Sequence, residues 1–546
     1  AMVCMSSPSR DRPKPLRLIS PPWTDDSPRR LEIDAALPAD DPARRVAEVV
    51  AALDLARLVA SYAGVGSPAY PPEILLRVVL FEILRGRLSP GRWAADCSRD
   101  DALKWLTFGA APSRSCLFRF RDRIAPHLDA LLASALHTAR ARGWTTAGRI
   151  ALDGTFTGSY ASRHKPMKAK GLDERCRQLD AAVTADLAAA PADHSPPASP
   201  LDSATAADHS PPQPPPAWMA TTPGGRFRQR RLYHQARARL GDRQRARDAQ
   251  ASRRSRAQRR KARPLKASPT DPEAVLGLDK TKVFRPLFDI QLARDLDSNF
   301  ILGYEVFAAA TDVGLLAPML DRTEALTGVT PEVVLADGTY ANVIELEACR
   351  ERAVTLYAPP QGGEAATKAD GRSAASEPGR KITKAEFTWL AESKTYRCPA
   401  GHELRLERRG VQRRFGGREL VELQYRCPGE LCRACSLAAR CTRSPQGRII
   451  KRSEHDDLLE DLRRRMASPE GRELYKLRSR TIEREFADLK CHRGLRQFSV
   501  FGLARSRAQV GLLILIHNGL EFLKALRRTA EAPADGPQAA QPPPAA

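Results

Sequence analysis

Residues Arg149-Ile150-Ala151-Leu152-Asp153-Gly154-Thr155 mark the point at which the chain changes its repeat. Before Gly148 apolar residues recur at helical spacing; from Arg149 they alternate with a period near two, the pattern of a strand. The stretch reads as a strand that ends in a carboxylate and a turn. The order strand, acid, glycine returns at Val333-Val334-Leu335-Ala336-Asp337-Gly338. Between the two, Pro286 to Ala293 and Phe300 to Ala308 read as strands joined by the turn Asp297-Ser298-Asn299, short enough for an antiparallel hairpin. Helices over Val313 to Leu326 and Asn342 to Arg352, and a strand over Ala353 to Tyr357, continue the alternation. The fold class that follows is α/β.

Toward the N-terminus the pattern is helical. Val46, Val49, Val50 and Leu53 fall at i, i+3, i+4 and i+7. Pro71-Pro72 opens a second helix that carries Leu75, Val78, Val79 and Phe81, and Ser89-Pro90 a third. Ser113 caps a short helix bearing Arg114, Arg119, Arg121 and Arg123. The expected organisation is a disordered leader over 1–40, a helical domain over 41–145 and a core built from 146–358 and 470–527. A Pro- and Arg-rich insertion over 160–268, a Cys-rich insertion over 359–469 and a disordered tail over 528–546 complete it.

The chain has 546 residues and a formal charge of +24, too long for one core and basic enough to attract polyanions, nucleic acid first. Residues 190–217 hold nine prolines and repeat Ala-Asp-His-Ser-Pro-Pro at 192–197 and 207–212, the composition of a flexible linker. Residues 224–266 hold 17 Lys and Arg against two Asp and offer no broad apolar stripe, so an anion is expected to order them. No apolar run approaches the roughly 18–20 residues that span a bilayer, and the N-terminus lacks a signal-peptide core. A cytoplasmic, nucleoid-associated protein is expected. No Gly-Lys pair occurs, which excludes a P-loop.

Eleven cysteines in such a chain are expected as thiols or metal ligands. Cys427-x4-Cys432-x2-Cys435-x5-Cys441, with Cys398 or His402 in reserve, has spacing compatible with a structural tetrahedral zinc, against the alternative of reduced buried thiols.

Late in the chain, Glu483, Phe486, Ala487 and Lys490 are spaced to share one helix face, so one carboxylate and one ammonium point the same way. Glu485 and Asp488 read as ordinary surface charges. Asp153, Asp337 and Glu483 are too far apart in sequence for a local ion pair. Singly, each aspartate before glycine suits a turn or cap. Together the three suit a site for hard divalent cations, Mg2+ or Mn2+, in which two ions activate a nucleophile and stabilise the leaving oxygen of a phosphodiester displacement.

These residues resemble the DDE transposases of bacterial insertion sequences, in the branch with an InsH-like helical N-terminal domain before an RNase H-like core. The resemblance runs through Ser67-Pro68-Ala69-Tyr70-Pro71-Pro72-Glu73, Phe118-Arg119-Phe120-Arg121, Leu152-Asp153-Gly154-Thr155 and Ala336-Asp337-Gly338-Thr339-Tyr340. It ends with Phe486-Ala487-Asp488-Leu489-Lys490, Gly494-Leu495-Arg496-Gln497-Phe498 and His517-Asn518. It implies an RNase H-like mixed sheet with Asp153, Asp337 and Glu483 as metal-binding catalytic triad. Tyr475, Arg478, Glu483 and Lys490 look like the family's Tyr-Arg-Glu-Lys signature, whose basic pair holds DNA near the reacting phosphate. Two departures stand out: Thr339 occupies a position where relatives often carry glycine, and Arg478 lies one residue further from the glutamate than is common. The resemblance further implies double-stranded DNA as partner, both element ends and target, and a homodimer that joins two ends. Arg114, Arg119 and Arg121 would read a DNA groove. Two other readings share these features, a domesticated DNA-binding protein without catalysis and an RNase H-like nuclease without strand transfer.

Overall fold

The computed structural model describes residues 16–62, 67–189, 215–251, 264–279, 281–360, 381–413 and 419–531. The linker repeat, the first part of the leader and the tail beyond Glu531 lie outside the described residues. The chain divides into two compact units, one of residues 1–312, 319–331 and 479–546, the other of 313–318 and 332–478.

Among the described residues the first unit begins with eight α-helices: α1 (Pro28–Ala36), α2 (Pro42–Ala51), α3 (Ala56–Ala60), α4 (Pro72–Leu84), α5 (Pro90–Cys97), α6 (Asp101–Thr107), α7 (Arg114–Ile124) and α8 (Leu128–Ala141). Proline at the first turn starts α1, α2, α4 and α5, where its missing N–H costs nothing. The side chains of Asp41, Asp100 and Ser113 cap α2, α6 and α7. Helix α1 is a correction to the leader expected as disordered: Ile33 is buried, and Ile19 donates to the carbonyl of Ala69 at 2.8 Å.

The strands β1 (Arg149–Gly158), β2 (Val275–Leu278), β3 (Phe284–Asp295) and β4 (Ile301–Phe307) follow. Strand β3 pairs antiparallel with β1, β2 and β4, so the expected 286–308 hairpin is present. Strand β1 continues three residues beyond Thr155, which corrects the reading of Asp153 as a strand end: Asp153 lies inside the strand, opposite Leu292. Gly154 does not turn the chain. It faces Gln291 across the pair, and a Cβ there would strike the Gln291 amide and come within 2.6 Å of Asp312 Oδ1.

Two helices, α9 (Ala169–Ala188) and α10 (Pro223–Ala251), occupy the described part of the insertion; residues 252–263 of its basic part lie outside the described residues. Leu172, Cys176, Leu179, Tyr233, Ala236 and Leu240 bury each other between them, a core shared by two helices that neither pattern revealed alone.

The last helix of the unit, α17 (Leu503–Glu531), is by length and composition apolar enough to cross a bilayer, which corrects the expectation that no stretch would be. Its middle, Ala508 to Ile516, is buried, and the helix packs on α2, α4, α8 and β4. Asn518 fixes it to β4, accepting from the Ile301 N–H at 2.9 Å and donating to the Ile301 carbonyl at 2.8 Å.

In the second unit β5 (Val333–Leu335) and β6 (Thr355–Tyr357) pair in parallel across α12 (Val343–Glu351), whose N-terminus Asn342 caps. The Cys-rich insertion forms an antiparallel sheet of five strands: β7 (Thr388–Leu390), β8 (Thr395–Arg397), β9 (Glu403–Arg413), β10 (Glu419–Arg426) and β11 (Ile449–Ser453). Helices α13 (Gly429–Arg433), α14 (Ala438–Cys441) and α15 (Asp456–Ala467) complete it. Helices α11 (Leu316–Thr327) and α16 (Pro469–Cys491) have residues in both units. Parallel and antiparallel pairings with an N-terminal helical region make the protein α/β, as its alternation indicates.

Candidate active site

Asp153 is half-buried on β1, and its Oδ1 accepts the Gly154 N–H at 2.9 Å. Two residues on, the Thr155 hydroxyl receives a hydrogen bond from the Lys490 ammonium near the end of α16. The same end is docked beyond β1, where the Phe498 N–H donates to the Gly158 carbonyl at 2.9 Å and the Phe498 ring packs edge-on against Phe288. Lys490 therefore stands beside the strand that carries Asp153.

On α16, Ile482, Glu485, Phe486 and Leu489 form the buried face, while Glu483 and Ala487 are exposed. Phe486 thus belongs to the core and does not share a face with Glu483 as its spacing suggested. Glu485 is not a surface charge: it is 6% exposed and accepts from Arg294, itself 5% exposed, at 2.9 Å. Asp488 pairs with Arg493 at 3.0 Å, a link that ties the end of α16 to the following turn.

Asp337 follows β5 in the second unit and caps the turn after it, accepting the Thr339 N–H at 2.8 Å. Thr339 also donates its hydroxyl to Asp337 Oδ2 at 3.4 Å, a contact that a glycine there cannot make. Tyr475 donates to the Ala336 carbonyl at 3.2 Å, which seats the first half of α16 beside that acid. Arg478 is half-buried. Asp153 and Glu483 belong to the first unit and Asp337 to the second. Among the described residues no three His, Cys, Asp or Glu side chains stand as a ready group for a metal ion.

Sequence reasoning missed two acids near Asp153. The Gln291 amide donates to Asp289 Oδ2 and to Asp312 Oδ1, both at 2.9 Å. Burial, reinforced by the charges of Asp312 and Asp153, pushes the Asp289 carboxyl up to about 8. Polar residues at 289 and 291 alternating inside the apolar run Leu287 to Leu292 were the available signal.

The three arginines expected to read a DNA groove divide. Arg114 and Arg119 are exposed on α7. Arg121 is not on that surface: it is 5% exposed and forks onto Asp122 Oδ1 at 3.0 and 3.2 Å, an acid that Arg505 of α17 also holds. The link between α7 and α17 is the Asp122–Arg505 pair, and Arg121 holds that acid from within α7.

Cys398, Cys427, Cys432, Cys435 and Cys441 line one small cavity together with His402. All five are free thiols. The His402 backbone N–H donates to Cys398 Sγ at 3.3 Å and the Leu437 backbone N–H to Cys435 Sγ at 3.4 Å. Burial first, then the neighbouring Cys432, pushes the Cys427 thiol up to about 12. Gly447 adopts φ +97°, and a Cβ there would strike the Cys427 carbonyl, so glycine is required for the return strand to pass.

Two family models match the chain. Residues 397–521 match a transposase DDE domain, and residues 31–123 match a transposase domain (DUF772). The first span contains Tyr475, Arg478, Glu483, Lys490 and the five cysteines; the second contains most of α1, all of α2 to α6 and most of α7. Asp153 and Asp337 lie outside both. No curated protein matches the chain.

Proposed function

From its two matched domains the chain belongs with the DDE-type insertion-sequence transposases, and we propose that it binds the terminal inverted repeats of its element, cleaves there and joins the freed ends to target DNA. The observation that carries this reading is Lys490: the lysine of the matched DDE segment hydrogen-bonds Thr155, two residues from Asp153, which links the family's signature helix to the strand outside the matched span.

In this reading Asp153, Asp337 and Glu483 hold the divalent ions on an RNase H-like core. The set fits Mg2+ or Mn2+ by donor chemistry, since it offers carboxylate oxygens with neither thiolate nor imidazole. Bound ions would lower the pKa of a water or 3'-hydroxyl and stabilise the leaving oxygen. The chain supplies the geometry. Lys490, beside Thr155, presents an ammonium to a non-bridging phosphate oxygen, and Arg478 a second cation. Water attack breaks the P–O3' bond and leaves a 3'-hydroxyl; that hydroxyl then attacks a target phosphate, forming one P–O bond as another breaks. Arg114 and Arg119 on α7 contact the end DNA. The protein acts at the nucleoid, and joining two ends calls for two copies. Incubating the full chain with its own element end in Mg2+ tests this: nicking at the end followed by strand transfer is expected. Nicking without transfer would leave a nuclease, and DNA binding without nicking a domesticated protein.

A structural zinc in the cysteine cavity is the matching proposal for the second unit. Metal analysis of the purified chain is expected to find one zinc per molecule, and its loss on replacing Cys427 and Cys432 by serine. Zinc-free protein with the same melting temperature would overturn it.

A further inference from the structure

The arginines of α10 fall into two sets. One faces α9 and is neutralised by it: Arg226 pairs with Asp186, Arg230 with Asp180 and Arg237 with Asp173. These pairings run in opposite order along the two helices, so α9 and α10 form an antiparallel hairpin clipped at three levels. The other set faces away. Arg228, Arg231 and Arg239 are exposed, and at 100° per residue they fall within an arc of about 80° on the side opposite Tyr233, Ala236 and Leu240. Among the described residues neither Arg228 nor Arg231 has an acidic partner, and Arg239 comes only within 4.0 Å of Glu273.

We propose that this outer stripe is a docking surface for the sugar–phosphate backbone of duplex DNA, independent of base sequence. The inference rests on the reading of DNA as partner and adds where an insertion outside both matched domains engages it. Charge complementarity selects the occupant. Arg228 to Arg239 spans about 16 Å at 1.5 Å per residue, which covers about five phosphates of one strand at 3.4 Å each along the axis. The hairpin's own core and its three acid pairs brace the helix, so the outer arginines are held on one face. Guanidinium forks also match phosphate oxygens in pairs.

The test is the salt dependence of binding of the full chain to a random-sequence duplex, followed by fluorescence anisotropy. Replacing Arg228, Arg231 and Arg239 by glutamine is expected to lower the slope of log Kobs against log salt by about 0.9 per lost contact. Replacing all three by lysine is expected to keep the slope. A charge-matched control, glutamine at Arg29, Arg177 and Arg464, which are exposed and already paired with acids, is expected to leave it unchanged. An unchanged slope in the first variant, or an equal fall in the control, overturns the proposal. Random duplex binding requires no cleavage, so the stripe and the catalytic reading fail separately.

Discussion

Glu483 and Glu485 sit two residues apart on one helix and have opposite environments. Glu485 is locked onto Arg294 in the core, and Glu483 is exposed beside the α16 segment whose Lys490 reaches β1. Removing one partner of a buried pair strands a charge in the interior, at about 3–5 kcal/mol. Arg294→Met is therefore expected to lower stability by that amount in denaturant melts, while Glu483→Gln stays within about 0.5 kcal/mol. Equal melts for both would contradict the assignment of core and site to these two acids. The sequence exposed the chemistry of both residues but not their burial. Helical spacing placed Phe486 with Glu483, because four residues cannot tell which side of a helix faces the core until the packing of Ile482 and Leu489 is known.

Elements whose apolar residues keep one period were legible. The α2 and α4 helices, the β3–β4 hairpin and the β5–α12–β6 run stand where their patterns put them. The sheet of the Cys-rich insertion was not read, since its strands alternate Leu404, Tyr425 and Ile450 with many Arg and Glu on a solvated face. Hairpin α9–α10 was missed because each helix has only a narrow apolar edge, which becomes a core in the pair. In the second unit, Glu345 of α12 lies under the start of α11, where it accepts the Gly314 N–H; burial, against the backbone hydrogen bonds it receives, pushes its carboxyl up to about 7. The unfolded glutamate ionises near 4.5, so the folded state holds a proton that the unfolded state releases between those values. Stability is then full below about 4.5 and falls as pH rises to about 7, by on the order of 3 kcal/mol. Glu345→Gln is expected to flatten this fall in thermal melts between pH 4.5 and 7.5. A variant as pH-sensitive as the parent would show that the loss arises elsewhere.

At the scale of the molecule the three acids come from separate segments, Asp153 and Glu483 from one compact unit and Asp337 from the other. Local patterns named them and their shared chemistry suggested one metal site, which the resemblance then made a catalytic triad. The aspartate in mid-strand had no local signal, because Asp-Gly usually means a turn and here the glycine only makes room for Gln291. Asp289 and Asp312 went unread because their proximity to Asp153 is tertiary, set by the β1–β3 register for Asp289 and by the Gln291 amide that holds Asp312. The most direct measurement is Mg2+-dependent cleavage of the element's own end by the full chain and by Asp153→Ala, Asp337→Ala and Glu483→Ala. Each alanine variant is predicted to bind the end and leave it uncut, with Asp461→Ala, an exposed acid on α15, cutting like the parent. Cleavage at the parent rate by any one of the three would contradict the account.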